Sequence, residues 1–287
     1  MLLRRARALA RSSAVRLSRR LPGFEEEIAA RFIARRSREC GIRLALYDPL
    51  TDTLRLPDAF EGMSLLSRGV IADAVPWMRK LEGRLPHGGL VLDVGGFRGI
   101  TAQWFARQAG RVIVFEPLPE NAASIRQMLH VRGLTNVTVQ ELAVSDRSGS
   151  AELFAYEGKG HNSLGRVNTS RYTHSLQVRT TTLDEFAKAN AIDRVDVLKV
   201  DVEGFEAEVL RGAAELLASG RIAMVLFESN PPVLASIGRA ASAIHEILAS
   251  HGYVVTDLDG RRVEAADLGR ASEMDDFLAV PQASCDA

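Results

Sequence analysis

From Leu90 onward, short apolar runs alternate with amphipathic stretches, and this alternation constrains the fold more than any other feature. The runs have the length of strands, and the stretches between them have helical spacing. Such alternation predicts an α/β fold, with a mostly parallel sheet and helices on both faces. The predicted strands are Leu90–Val94, Val112–Phe115, Val137–Leu142, Val195–Val200, Ile222–Phe227 and Tyr253–Val255, with a last, antiparallel strand at Asp276–Val280. The predicted helices are Thr101–Gln108, Glu120–Val131, Phe205–Leu217 and Ala240–Ser250.

The chain before Pro86 is organised differently, and the Pro-His-Gly-Gly stretch at 86–89 marks a boundary. Helical spacing covers Phe24–Arg43 and Ser67–Leu85, and a strand pair around Asp48-Pro49 between them predicts a hairpin. We therefore divide the chain into a basic leader (1–20), an N-terminal helical and hairpin extension (21–88) and a main domain (89–287).

The leader carries seven arginines and no acidic residue. Three interpretations fit this composition: a solvated, frayed segment, an amphipathic helix in peripheral contact with an anionic membrane surface, or an organellar transit peptide. Because the leader lacks the periodicity of a packed helix, we expect residues 1–20 to be dispensable for folding and cofactor binding.

Overall composition excludes several classes of protein. The formal net charge of the 287 residues is zero, which gives no reason to expect a nucleic-acid partner. Cys40 and Cys285 lie near opposite ends of the chain, so a disulfide framework is not expected and a cytoplasmic location is the default. Composition says nothing about the oligomeric state.

A glycine-rich turn follows the first main-domain strand, in the stretch VLDVGGFRG. Asp93, Gly95 and Gly99 form D-x-G-x-x-x-G, whereas dinucleotide sites favour G-x-G-x-x-G. The second strand ends in Glu116, and an acid at that position can accept hydrogen bonds from both ribose hydroxyls of a bound cofactor. The two features together favour S-adenosylmethionine over NAD.

A second group of charged residues ends the fourth strand. Lys199, Asp201 and Glu203 alternate, which places them on one face if the strand continues that far. Asp201 is the leading candidate for a general base, Glu203 is the second, and Lys199 would hold Asp201 in position. Glu228 ends the fifth strand at the same edge. No metal site is assigned, but three acids leave a divalent cation open as an alternative.

Four blocks of sequence, NVTVQELAVSDRSGSAEL, TTTLDEF, VDVLKVDVEGFEAEVLRGA and FLAVP, resemble the FkbM-type family of S-adenosylmethionine-dependent methyltransferases. The resemblance runs from about Gly89 to Pro281. It implies a Rossmann-like class I methyltransferase fold and O-methylation of hydroxyls on sugars or natural products. Cofactor residues implied by the match are Asp93, Gly95, Gly96, Gly99 and Glu116, with Ala143 at the end of the third strand in the adenine pocket. The turn departs from the family's D-V-G-A-N-x-G, because Gly96 and Phe97 replace Ala-Asn.

The segment from Tyr156 to Leu176 interrupts the alternation and is rich in turn-forming residues, which predicts a long substrate-facing loop. We predict a methyltransferase acting on a small-molecule or glycan acceptor. An NAD-dependent oxidoreductase and a non-catalytic S-adenosylmethionine-binding module remain the alternatives at this point.

Overall fold

The computed structural model describes residues 46–48, 53–55, 76–81, 88–97, 99–156, 162–166, 172–270 and 275–282. The chain divides into two compact units, 1–79 and 80–287. In the first unit, β1 (Leu46–Asp48) pairs antiparallel with β2 (Thr53–Arg55), which confirms the predicted hairpin. Helix α1 (Pro76–Leu81) falls inside the predicted helical stretch. The leader and the helix predicted at Phe24–Arg43 lie outside the described residues.

A seven-stranded sheet forms the centre of the second unit. Its strands are β3 (Leu90–Val94), β4 (Arg111–Phe115), β5 (Val137–Gln140), β9 (Val197–Val200), β10 (Val225–Ser229), β11 (Tyr253–Asp257) and β12 (Asp275–Pro281). They lie in the order β11-β12-β10-β9-β3-β4-β5. Pairs from β10 to β5 are parallel, and β12 is antiparallel to both of its neighbours, which confirms the predicted antiparallel last strand.

The strand order reverses direction at β3, which puts the connecting helices on opposite faces of the sheet. The helices of this unit are α2 (Ile100–Ala106), α3 (Pro119–Val131), α4 (Leu183–Ala189), α5 (Glu206–Arg211), α6 (Ala214–Ala218), α7 (Pro231–Ser236), α8 (Ser242–Ser250) and α9 (Ala265–Arg270). The central strands β3, β4 and β9 are almost wholly buried, as expected for parallel strands covered on both faces. The fold is the Rossmann-like α/β arrangement that the sequence predicts.

A second, three-stranded sheet has the order β6-β8-β7, with β6 at Ala143–Val144, β7 at Gly149–Tyr156 and β8 at Tyr172–Thr181. Strands β7 and β8 pair antiparallel along most of their length. The prediction of one long loop from Tyr156 to Leu176 is therefore wrong at both ends, because Tyr156 ends β7 and residues 172–176 belong to β8. Alternation of half-buried residues in an antiparallel pair gives a weaker apolar signal than a buried parallel strand.

Several other boundaries differ from the prediction, among them those of β10, which is Val225–Ser229 and not Ile222–Phe227. The third strand of the central sheet ends at Gln140 instead of Leu142. The predicted helix Phe205–Leu217 is two helices, α5 and α6, separated by Gly212 and Ala213. A Cβ at Gly212 would lie 2.1 Å from the carbonyl oxygen of Ser145, so the chain passes too close to its neighbour there for any other residue. No helix within the described residues is both long and apolar enough to cross a lipid bilayer.

Candidate active site

A cavity of about 170 Å³ lies at the carboxyl ends of the central parallel strands. Open α/β sheets bind ligands at this edge, where the strand order reverses. The lining includes the ends of β3, β4, β9 and β10 and residues from the smaller sheet: Val94, Gly95, Phe97, Phe115, Glu116, Pro117, Leu142, Ala143, Val144, Leu153, Asn162, Leu164, Asp201, Val202, Glu203, Phe205 and Glu228.

Close packing explains the glycines of the turn after β3. Gly95 has φ +88°, and a Cβ there would lie 1.8 Å from the carbonyl oxygen of Asp201. A Cβ on Gly96 would meet Val114 at 2.2 Å, and one on Gly99 would meet Met128 at 2.6 Å. Of the three candidate glycines, Gly95 lines the cavity, whereas Gly96 and Gly99 are buried behind it. The turn is held to β4 because the amides of Gly95 and Gly96 both donate to the carbonyl of Phe115 at 3.1 Å.

Glu116 lines the cavity although its side chain is buried, with 4% of its surface exposed. Its Oε2 accepts a 2.7 Å hydrogen bond from the amide of Phe97, and its Oε1 accepts one of 2.9 Å from the amide of Leu118. Burial raises the pKa of Glu116 to about 7, although these hydrogen bonds act in the opposite direction. The carboxylate is thus fixed in place beside the glycine turn, as the sequence predicts for the acid at the end of the second strand.

Phe97 adopts a left-handed backbone conformation, with φ 45°. Non-glycine residues seldom adopt this conformation, and asparagine does so more readily than most. The family pattern has asparagine at this position, and here an aromatic residue occupies the left-handed turn. Phe97 lines the cavity, and its amide contacts Glu116. The departure from the family pattern therefore changes a side chain of the cavity wall.

Lys199 contacts both the glycine turn after β3 and the carboxylate of Asp201 after β9. It is 3% exposed, and its Nζ donates a 2.9 Å hydrogen bond to the carbonyl of Gly95. The same Nζ lies 3.1 Å from Asp201 Oδ2 and 3.4 Å from Asp93 Oδ1, the latter an ion contact beyond ordinary hydrogen-bond geometry. Burial by itself would lower the pKa of Lys199, but Asp201 and Asp93 outweigh it and raise that pKa. The lysine therefore stays charged.

Asp93 is completely buried and lies behind the cavity. Burial raises its pKa, an effect that Lys199 and the hydroxyl of Thr101 partly offset. Thr101 Oγ1 donates to Asp93 Oδ2 at 2.5 Å. Asp93 therefore contacts both Thr101, near the start of α2, and Lys199.

Carboxylates from three segments converge on the other side of the cavity. Asp201 directly follows β9, and its amide donates to the carbonyl of Val94 at 3.1 Å. One carboxylate oxygen each from Asp201, Glu203 and Glu228 lies within 4.8 Å of the other two. β9 ends at Val200, as predicted, so it does not continue to Asp201 and Glu203, and Glu203 joins the group through a left-handed turn with φ 54°. Three such oxygens are also a ligand set that a divalent cation could share.

Burial is the largest effect on Glu228 and raises its pKa, and the charges of Asp201 and Glu203 raise it further. Asp276 stands opposite Glu228 in the antiparallel ladder of β10 and β12. Burial, assisted by Asp201, raises the pKa of Asp276 to about 7. Glu228 and Asp276 therefore keep their protons to higher pH than exposed carboxylic acids do.

Ala143 lines the cavity, but it does not end the third strand. It begins β6 of the smaller sheet, where it pairs with Thr180. The central-sheet ladder ends at Gln140, whose carbonyl accepts from the amide of Glu116, and the chain then leaves the sheet. With Leu142 and Leu153, Ala143 gives this end of the cavity an apolar wall that fits an aromatic ring.

Some cavity residues lie outside the central sheet, and two of these, Leu164 and Phe205, were not singled out from the sequence. Asn162 and Leu164, between β7 and β8, line the cavity, as does Phe205 before α5. The turn-rich composition of the segment was the available signal for the first two. His174, by contrast, lies exposed on β8 and is not part of the cavity, and His161 is outside the described residues.

Comparison with known proteins agrees with this geometry. The family described as the methyltransferase FkbM domain matches residues 93–255, more than half of the chain. The chain is 27% identical to the 2-O-methyltransferase NoeI of Sinorhizobium fredii over 148 residues, 46% of this chain and 60% of that protein. It is 25% identical to Methyltransferase 1 of Beauveria bassiana over 147 residues, 44% of this chain and 59% of that protein. It thus spans about 60% of the length of these curated relatives.

Among solved structures, the FkbM methyltransferase of Methylobacillus flagellatus is similar with 13% sequence identity and a TM-score of 0.42. That likeness covers 87% of this chain and 70% of the other. The matched residues include the glycine turn, Glu116, the acidic group after β9 and the whole smaller sheet, whereas β12 of the central sheet lies outside them. On this match, the chain belongs to the FkbM methyltransferase family.

Proposed function

We propose that this protein transfers the methyl group of S-adenosylmethionine to a hydroxyl oxygen of a sugar or natural-product acceptor. The observation that carries the proposal is the placement of Glu116 and Gly95 on one side of a cavity and of Asp201, Glu203 and Glu228 on the other. The name of the relative NoeI, a 2-O-methyltransferase, supports transfer to oxygen.

The first side fits the cofactor. Glu116 is positioned to accept hydrogen bonds from ribose hydroxyls, and the apolar wall of Leu142, Ala143 and Leu153 fits the adenine ring. Gly95 brings backbone to the cavity surface without a side chain. When bound, S-adenosylmethionine supplies an electrophilic methyl group.

The second side fits an acceptor hydroxyl. An alcohol is a poor nucleophile until its proton is removed, and a positioned base contributes about 10²- to 10⁴-fold. Asp201 lines the cavity next to Gly95, and Lys199 Nζ lies 3.1 Å from its carboxylate and holds it in place. In this proposal Asp201 takes the proton of the hydroxyl as the oxygen–methyl bond forms and the methyl–sulfur bond of S-adenosylmethionine breaks, which releases S-adenosylhomocysteine. Glu203 is the second candidate for the base.

Isothermal titration calorimetry with S-adenosylmethionine, S-adenosylhomocysteine and NAD tests the cofactor assignment. We expect the first two to bind and NAD not to bind. Glu116→Ala removes charged hydrogen bonds worth about 1.5–3 kcal/mol each, so S-adenosylmethionine affinity should fall by at least about tenfold. Glu120, an exposed acid in the first turn of α3, gives the matched control variant Glu120→Ala. Unchanged affinity in Glu116→Ala would refute the assignment.

A screen for S-adenosylhomocysteine release identifies the acceptor class. The panel contains hydroxylated sugars and polyketide-like alcohols, each incubated with the protein and S-adenosylmethionine. Release that depends on a hydroxylated acceptor supports the proposal. Tight cofactor binding without release for any member of the panel would instead favour a non-catalytic binding module.

A further inference from the structure

The segment 162–166, here called the strap, crosses from the smaller sheet to the turn that carries Glu203. Ser163 is its most buried residue, with 1% of its surface exposed. Its amide and carbonyl pair with Phe154 of β7 at 3.1 Å and 2.8 Å, which anchors the strap to the smaller sheet. Its hydroxyl is therefore presented from a fixed backbone.

That hydroxyl makes two hydrogen bonds. Ser163 Oγ donates to the carbonyl oxygen of Glu203 at 2.7 Å and accepts from the amide of Gly165 at 3.3 Å. Gly165 itself lies against the ring of Phe205, since a Cβ there would be 2.9 Å from that ring. The strap thus contacts the turn after β9 on both sides of Gly204.

Glu203 occupies an unfavourable backbone conformation. Its φ of 54° lies in the left-handed region, which costs a residue of this type of the order of 1–3 kcal/mol and persists only where neighbouring contacts fix it. Glu206 Oε1 accepts hydrogen bonds from the amides on either side of Glu203, those of Val202 and Gly204, each at 3.1 Å. The carbonyl of Glu203 itself accepts a hydrogen bond from the hydroxyl of Ser163, which fixes it.

We propose that Ser163 is a positioning residue that holds Glu203 in its left-handed conformation and so keeps the Glu203 carboxylate beside Asp201 and Glu228. The catalytic meaning of this role rests on the proposed function, in which Glu203 belongs to the acceptor side of the cavity. The strap also places Asn162 and Leu164 in the cavity wall. The hydroxyl of Ser163 therefore connects this part of the wall to Glu203.

The titration of Glu228 reports the position of Glu203. Charged groups around Glu228 come from several neighbouring elements: Asp201 from the end of β9, Glu203 from the turn, Glu206 from α5 and Asp276 from β12. The negative charge of Glu203 raises the pKa of Glu228, after the larger effect of burial and alongside that of Asp201. If Glu203 moves away, this contribution is lost and Glu228 titrates at lower pH.

The experiment measures the side-chain carboxyl ¹³C shifts of labelled glutamate as a function of pH, with the Glu228 signal assigned by its loss in Glu228→Gln. In Ser163→Ala we expect the Glu228 midpoint to fall by at least about half a pH unit. Ser145, a buried serine that bonds to Asp146, provides the matched control Ser145→Ala, which should leave the midpoint unchanged. In a Glu203→Gln background, Ser163→Ala should add no further shift.

An unchanged Glu228 midpoint in folded Ser163→Ala overturns the proposal, and so does an equal shift in the Glu203→Gln background. If Ser163→Ala does not fold, Ser163→Cys is measured in the same way, because it keeps the size of the side chain and weakens the donor. The titration needs neither cofactor nor acceptor. A negative result would therefore leave methyl transfer untouched, and a failed cofactor titration would leave the role of Ser163 untouched.

Discussion

The two sides of the cavity are built in different ways. The glycine turn with Glu116 is assembled from neighbouring strands β3 and β4, and Glu116 is bonded to backbone amides close to it in the chain. The acidic side consists of Asp201, Glu203 and Glu228, which lie at two strand ends and in a turn. Ser163, from the segment between the strands of the smaller sheet, donates a hydrogen bond to Glu203. One side is fixed by close backbone packing, and the other by long-range hydrogen bonds and charge.

This difference predicts different responses to mutation. A change in the glycine turn should damage the fold, because no space exists for added atoms. A change on the acidic side should alter proton transfer and titration while the fold survives, because these carboxylates are partly exposed and their net contribution to stability is small. Four experiments test that contrast.

The largest effect is expected for Gly95→Ala. The new Cβ would lie 1.8 Å from the carbonyl oxygen of Asp201, and φ of +88° is itself unfavourable for alanine. We expect a loss of at least about 3 kcal/mol in the free energy of unfolding, measured by chemical denaturation. Gly133, at φ +64° with no atom within 4 Å of a Cβ, is the matched control, and Gly133→Ala should cost about 1–2 kcal/mol. Equal losses of unfolding free energy in the two variants would show that the backbone conformation, and not close packing, makes glycine necessary at position 95.

Next in size is the effect of Asp201→Asn on catalysis. Removing the base should lower turnover by about a hundredfold or more, whereas S-adenosylmethionine affinity should change little. The measurement is S-adenosylhomocysteine release with an acceptor from the screen, alongside calorimetry of the same variant. Near-normal turnover would move the base to Glu203 or Glu228. A large loss of cofactor affinity would instead show that the two sides are not separable.

A smaller effect concerns the pH dependence of cofactor binding. Burial raises the pKa of Glu116 to about 7. In the proposed function, it is the ionised carboxylate that accepts hydrogen bonds from both ribose hydroxyls. Affinity should therefore rise with pH through neutrality, and the dissociation constant should be about tenfold larger at pH 6 than at pH 8. Glu116→Gln does not ionise, so its profile should lack this component. A wild-type profile identical to that of Glu116→Gln would mean that the carboxylate is already ionised at pH 6.

The smallest effect is expected for Glu228→Gln. The pKa of Glu228 is raised by burial and by nearby acids, so the folded state binds its proton more tightly than the unfolded state. Its contribution to stability therefore falls as pH rises through the folded pKa. Replacing it with glutamine should raise the melting temperature more at pH 9 than at pH 5. Each kcal/mol gained in the free energy of unfolding corresponds to a rise of about 2–4 °C. Glu120→Gln, on the exposed face of α3, should give no such difference.

Much of the central sheet can be predicted from the amino-acid sequence alone. Strand β3 has the predicted bounds, Leu90–Val94, because a parallel strand covered on both faces must be apolar along its length. The meeting of Gly95, Glu116 and Asp201 at one cavity is also predictable, since the carboxyl ends of parallel strands share one edge of the sheet. The first of these features depends on the regular pattern of a short stretch of sequence, and the second depends on the shared direction of parallel strands.

The remaining features depend on contacts between distant segments, and the periodicity of the sequence does not predict such contacts. Ala143 belongs to the smaller sheet because its partner is Thr180, not the neighbouring central strand. Gly95 must be glycine because Asp201, over a hundred residues later, passes beside it. Glu203 joins the acidic group through a left-handed turn that Ser163 fixes from another sheet. Local pattern determined the strands and the identity of the acids, whereas tertiary packing decided which groups touch and how each is held.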